Sequence, residues 1–164
     1  MAPLTVTITE SLPDYNGTDN DLTLTNVLTI AGVDDVYHRI ITVPSGVPIT
    51  VASFKSTTGI ADAALAIENV KYIRITNLES SNPAILSLQI DTAENDSDAA
   101  DQASIYLEAG KSFIMGVPHE GIEVDSTSAT ASVARSTLFD LESIIVDPFA
   151  AAVKVEVFIA SVVA

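Results

Sequence analysis

Apolar and polar residues alternate along most of this chain with a period of two, the spacing that sends successive side chains of a strand to opposite faces. Leu4, Val6 and Ile8 alternate with Thr5, Thr7 and Thr9, predicting a first strand over 4–9. Leu22, Leu24, Leu28 and Ile30 share one face of a second strand, interrupted by Asn26. A third covers Val36 to Val43, with Tyr37, Arg39, Ile41 and Val43 on one side, and a fourth covers Ile49 to Phe54. Ile73 and Ile75 alternate with Tyr72, Arg74 and Thr76, and Leu86, Leu88 and Ile90 alternate with Ser87 and Gln89. Between them lie the turn formers Asn77, Ser80, Ser81, Asn82 and Pro83, so Val70 to Ile90 reads as a hairpin. Ser104–Leu107 and Ser112–Met115 read as a second, compact hairpin around Glu108–Lys111. A short strand follows at Ile122–Val124, and a longer one runs from Thr137 to Val146. The last strand puts Val153, Val155, Val157, Ile159 and Val163 on one face, while Phe158, Ala160 and Val162 make the other face apolar too. Such a strand is central in a sheet or enters a subunit interface.

Polar stretches punctuate these strands. Ser11–Asp21 is a loop with Pro13, Asn16 and Gly17, and Pro44, Ser45, Gly46 and Pro48 make a tight connection. The segment 57–69 reads either as a short helix around 60–68 or as a loop over the edge of the sheet. About nine to eleven strands at roughly 8–12-residue spacing predict an all-β fold, an antiparallel β-sandwich or jelly roll. No fixed-period repeat points to a solenoid or propeller. The expectation is one domain over 1–164, with the first twelve residues able to act as an N-terminal arm.

Composition changes this picture in two ways. The chain of 164 residues has no cysteine, which removes a disulfide framework, a thiol nucleophile and a cysteine zinc site. It is 48% hydrophobic, with a mean hydropathy of +0.38, yet has a net charge of −15. An apolar surplus beside so strong a charge points to a subunit that buries surface against neighbours. With 22 acids against 7 bases, binding to nucleic acid or to an anionic membrane is not expected. The N-terminal MAPLTVTITESLP has neither a basic start nor a long apolar run, so it does not read as a secretory signal.

Candidate chemistry is thin. Gly110-Lys111-Ser112 looks like the end of a phosphate loop, but Ile105 stands where the leading glycine is required. Asp96 and Asp98 suggest a calcium loop, but Ala100 and Asp101 stand where an EF-hand wants an oxygen ligand and a glycine. Asp14, Asp19, Asp21, Asp34 and Asp35 are further acids that an irregular calcium site would draw on. His38 and His119 lie far apart, with no Gly-x-Ser-x-Gly elbow and no His-Glu-x-x-His run, and read as a surface strand position and a turn position. Without Trp and with four Tyr, a sugar-stacking platform is poorly supplied. The sequence therefore yields no catalytic, cofactor-binding or metal residues, and the expectation is a protein that is not an enzyme and needs no cofactor.

One resemblance adds to this reading. KYIRITNLESSNPAILSLQI, an acidic loop, and then SIYLEAGKSFIM resemble the small β-sandwich structural proteins of tailed-bacteriophage virions. The residues that carry it are Arg74–Asn77, Ile85–Ile90 and Leu107–Phe113, within a second half running from Val70 to Ala164. The resemblance implies a virion component assembled in the host cytoplasm, most simply a head decoration or cement protein that bridges subunits of the major capsid protein as a homo-oligomer, with a trimer as the guess. A neck or tail subunit is the alternative within that class, and a glycan-binding module the alternative outside it. The implied site is then an interface, placed at Leu4, Val6 and Ile8 near the N-terminus and at Val157, Ile159 and Val163 in the last strand.

Overall fold

A computed structural model describes residues 2–14, 17, 21–55, 65–91, 101–122 and 138–162 of the chain. The strands are β1 (Ala2–Leu12), β2 (Leu22–Val33), β3 (Asp35–Val43), β4 (Ile49–Lys55), β5 (Leu65–Ala66), β6 (Val70–Asn77), β7 (Ala84–Asp91), β8 (Asp101–Leu107), β9 (Ser112–Met115), β10 (Asp140–Pro148) and β11 (Val153–Ser161). Two sheets pack face to face as a β-sandwich, one ordered β5-β4-β10-β7-β8 and the other β3-β11-β6-β9. Pairing is antiparallel except between β4 and β5. Strands β1 and β2 form a separate two-stranded sheet.

The alternation builds the core directly. Ile73, Ile75, Val155, Val157 and Ile159 point inward from the four-stranded sheet, while Leu86, Leu88, Ile144, Val146, Val51 and Phe54 meet them from the five-stranded one. Each is nearly or fully removed from water, worth about 1.5–3 kcal/mol per side chain against exposure. β11 sits between β3 and β6, so the central position expected of the last strand is the one it occupies.

Three expectations change. The hairpin expected over Val70–Ile90 is not one: β6 pairs with β11 and β9, and β7 pairs with β10 and β8. The connection through Asn77–Pro83 is an arch that carries the chain from one sheet to the other. The same holds for the compact hairpin expected around Glu108–Lys111, since β8 pairs with β7 and β9 pairs with β6. Periodicity sets which side of a strand is apolar, but two strands facing one core across a sandwich have the same pattern as two strands side by side. Third, within 57–69 the described part is the short β5 followed by a 3-10 turn at Ile67–Asn69; the expected helix around 60–68 falls in part outside the described residues.

Asn77 fixes both arches. Its side chain is wholly buried; Nδ2 donates to Asn82 O at 2.8 Å and to Leu107 O at 3.2 Å, while Oδ1 accepts from Glu79 N at 3.1 Å. Its backbone N–H donates to Lys111 O at 2.9 Å, and its carbonyl accepts from Gly110 N at 3.0 Å. One asparagine thus satisfies polar backbone groups of both crossings, among them the buried carbonyl of Leu107.

Candidate functional site

The N-terminal arm is longer than its first strand. β1 and β2 pair from Ala2↔Val33 to Leu12↔Leu22, so the first strand of the expected arm is paired along its length with a second, Leu22–Val33. Residues directly opposite share a face. One face therefore holds Leu4 and Ile30, Val6 and Leu28, Ile8 and Asn26, Glu10 and Leu24, and Leu12 and Leu22. The other holds Thr5 and Thr29, Thr7 and Val27, Thr9 and Thr25, and Ser11 and Thr23. Threonine keeps strand propensity without adding apolar surface, so the arm is a ribbon with one apolar side. Glu10 is the sole charged residue in its two strands.

The arm leaves the body at a bulge. Between Ala2↔Val33 and Leu4↔Ile30 the register slips by one residue, and Gly32 there has φ +74°, a conformation that costs glycine nothing. The base of the ribbon lies over the outer face of the β3-β11-β6-β9 sheet. Leu4 through Ile8 on one side and Tyr72, Arg74, Ser112, Ile114 and Phe158 on the other enclose a groove of about 440 Å³. Leu4, Val6 and Ile30 are half-buried, but further out the cover is lost: Ile8 is 46% exposed, Leu28 45%, Leu24 54% and Leu12 52%.

Beneath the arm the sheet carries a polar and aromatic cluster centred on Phe158. Register places His38, Phe158, Arg74 and Ile114 in one row across four strands, with Ile40, Glu156, Thr76 and Ser112 in the next. Glu156 accepts from Arg74 at 2.8 Å and lies 2.9 Å from His38 Nε2. Arg74 stacks over the Phe158 ring at 5.9 Å, and Tyr72 meets that ring edge-on. The Arg74–Glu156 ion pair is partly open to water and contributes on the order of 1 kcal/mol or less. Tyr72 is buried, which pushes its phenol above the ordinary range, and the Arg74 charge partly offsets this. Beyond the arm's base the same face exposes Val36 (47%) and Ile40 (59%) on β3.

The interface residues expected from sequence divide. Leu4 and Val6 are at the half-covered base of the arm, and Ile8 lies where the cover ends. Val157 and Ile159 are corrected: both are fully buried against the chain's own second sheet and present nothing to a neighbour. The apolar character on both sides of β11 has a local cause, with the sandwich core on one side and the floor under the arm, Phe158 and Ala160, on the other. Val163 lies outside the described residues. The β2 residues that share the face of Leu4, Val6 and Ile8, namely Leu22, Leu24, Leu28 and Ile30, were not among the interface positions expected from sequence, although their matching period of two was the available signal.

The other candidates resolve locally. His119 Nδ1 is 2.9 Å from Asp140 Oδ1, which also accepts the backbone N–H of Glu120, and no serine hydroxyl among the described residues bonds this histidine. The pair closes the turn at 118–121 onto the start of β10, where the carbonyl of Pro118 also accepts from Leu141 N at 3.0 Å. Lys111 is in the arch between β8 and β9, its N–H bonded to Glu108 O. Asp96 and Asp98 fall outside the described residues; among those described, no three His, Cys, Asp or Glu side chains gather to hold a metal. Tyr106 and Phe149 are an exposed aromatic pair, but their planes stand 86° apart and offer no flat platform to a sugar. No described helix is long and apolar enough to cross a membrane. Comparison of the chain with protein-family models, curated proteins and solved structures found no match.

Proposed function

We propose that this chain is a structural subunit of a tailed-phage virion, most directly a head decoration or cement protein that works by burying surface against its neighbours. The observation that carries the reading is the projecting hairpin, whose apolar face the chain's own body covers only at the base. An isolated two-stranded ribbon is marginal in water, so a long one with three apolar pairs and two further apolar side chains on one face is built to be covered. The sandwich core closes without it, which leaves the arm free for assembly. The virion setting comes from the resemblance of Arg74–Asn77, Ile85–Ile90 and Leu107–Phe113 to such proteins. A subunit that binds only the assembled lattice stabilises it by mass action.

The test is mass spectrometry and cryo-electron microscopy of purified particles from a phage that encodes this chain. Stoichiometric, symmetric density on the head supports the decoration role, and density at the neck or tail moves the subunit within the virion. Absence from intact particles overturns the proposal.

A further inference from the structure

We propose that the hairpin arm docks on a second copy of this chain, laying its distal apolar face across the outer surface of the partner's β3-β11-β6-β9 sheet around Val36 and Ile40. Three observations point to this occupant.

The first is exposure on both surfaces. The arm offers Ile8, Leu12, Leu22, Leu24 and Leu28, all 38–54% exposed, and the sheet offers Val36 at 47% and Ile40 at 59%. The groove under a chain's own arm is lined from β1, β6, β9 and β11 and by no residue of β3, so the β3 side of the face is open to another arm.

The second is charge. Two copies of a −15 chain repel unless they meet where charge is low or opposite. The arm's two strands carry Glu10 alone, and the segment that joins them adds Asp14, Asp19 and Asp21. The outward positions of the sheet carry Arg74 and Lys154 against Glu156, a balance of +1 over these three. The strand face, with Glu10 alone, therefore meets a sheet face of opposite sign.

The third is area. The distal arm is about 20 Å long and about 10 Å wide from strand rise and spacing, so the face that bears its leucines is roughly 200–250 Å². Counting both partners and both arms of a reciprocal pair gives about 800–1,000 Å², which reaches the lower limit for a specific interface at its upper end. Two arms stacked only on each other bury about half of that, which favours docking on the sheet.

The inference is separate from the virion reading, because self-association is measured on the purified chain without any particle. Sedimentation equilibrium of the full chain is expected to show a concentration-dependent oligomer. Leu24→Gln on the arm and Ile40→Gln on the sheet, neutral changes because these positions face Glu10 and Glu156, are each expected to weaken association at least tenfold, with circular dichroism and thermal melting unchanged. Mixing the two variants is expected to restore a mixed dimer, since the Ile40→Gln chain keeps a sound arm and the Leu24→Gln chain a sound sheet. A monomeric wild-type chain overturns the proposal, as does an oligomer that survives Leu24→Gln. An oligomer lost with Leu24→Gln but unaffected by Ile40→Gln means the arms pack on each other, and it overturns docking on the sheet.

Discussion

Asn77 is the residue on which the two sheet crossings depend. Replacing it with alanine removes the donor from the buried carbonyl of Leu107 and from the half-buried one of Asn82. A buried group left unpaired costs about 1–3 kcal/mol, so Asn77→Ala is expected to destabilise by about 1–3 kcal/mol, read as a lower urea midpoint with an unchanged slope. Gly121 is constrained by space: a Cβ there would lie 2.1 Å from the carbonyl oxygen of Val117. Gly121→Ala therefore has to open the turn that His119 and Asp140 close, and a lowered melting temperature is expected. Tyr72 gives a pH dependence. Its phenol titrates higher in the folded chain than in the unfolded one, so the folded state holds the proton more tightly. That contribution is complete below the unfolded value near 10.0 and is lost as pH rises through the folded value. Denaturant titrations from neutral to strongly alkaline pH are expected to show a decline that Tyr72→Phe reduces.

At the scale of elements, β11 and the arm make opposite predictions from similar sequences. Ile159 in β11 is fully buried in the sandwich, and Ile159→Ala is expected to cost about 2–5 kcal/mol. Leu24 in β2 is 54% exposed and lies outside the core, and Leu24→Ser is expected to change monomer stability by no more than about 0.5 kcal/mol. Paired denaturation curves at a concentration where the chain is monomeric check both. Period-two alternation alone gives these strands equal claims to be core. The difference lies in what each apolar face meets: a second sheet for β11, and for β2 only the edge of the body at its base.

At the scale of the whole molecule, the acidic charge and the apolar surplus act in separate places. Charge is sparse on the arm's two strands, which carry Glu10 alone, while the segment joining them adds Asp14, Asp19 and Asp21, and the chain's −15 as a whole opposes any meeting of two copies. Salt shortens the reach of that repulsion from about 10 Å at 0.1 M to about 3 Å at 1 M and leaves apolar contact intact. Association is therefore expected to tighten as salt is raised, the reverse of an interface held by ion pairs. Sedimentation across a salt series measures the sign.

What the sequence determined by itself was the local pattern and the chemistry it leaves out. Strand positions, inward faces and the all-β class follow from spacing, because a strand's side chains alternate whatever lies beside them. The absence of cysteine and the acidic balance are likewise independent of fold. The central place of β11 was legible too, since a strand apolar on both faces has to be covered on both. Which strands lie side by side was decided only in three dimensions, because Ile73 and Leu86 carry the same pattern whether they neighbour in one sheet or face each other across two. The arches at Asn77–Pro83 and Glu108–Lys111, with Asn77 tying them together, were settled by long-range hydrogen bonds. The same holds for the interface residues. Sequence gave Val157 and Leu4 equal standing as apolar strand positions, and the packing of two sheets buried one and left the other at the base of a projecting arm.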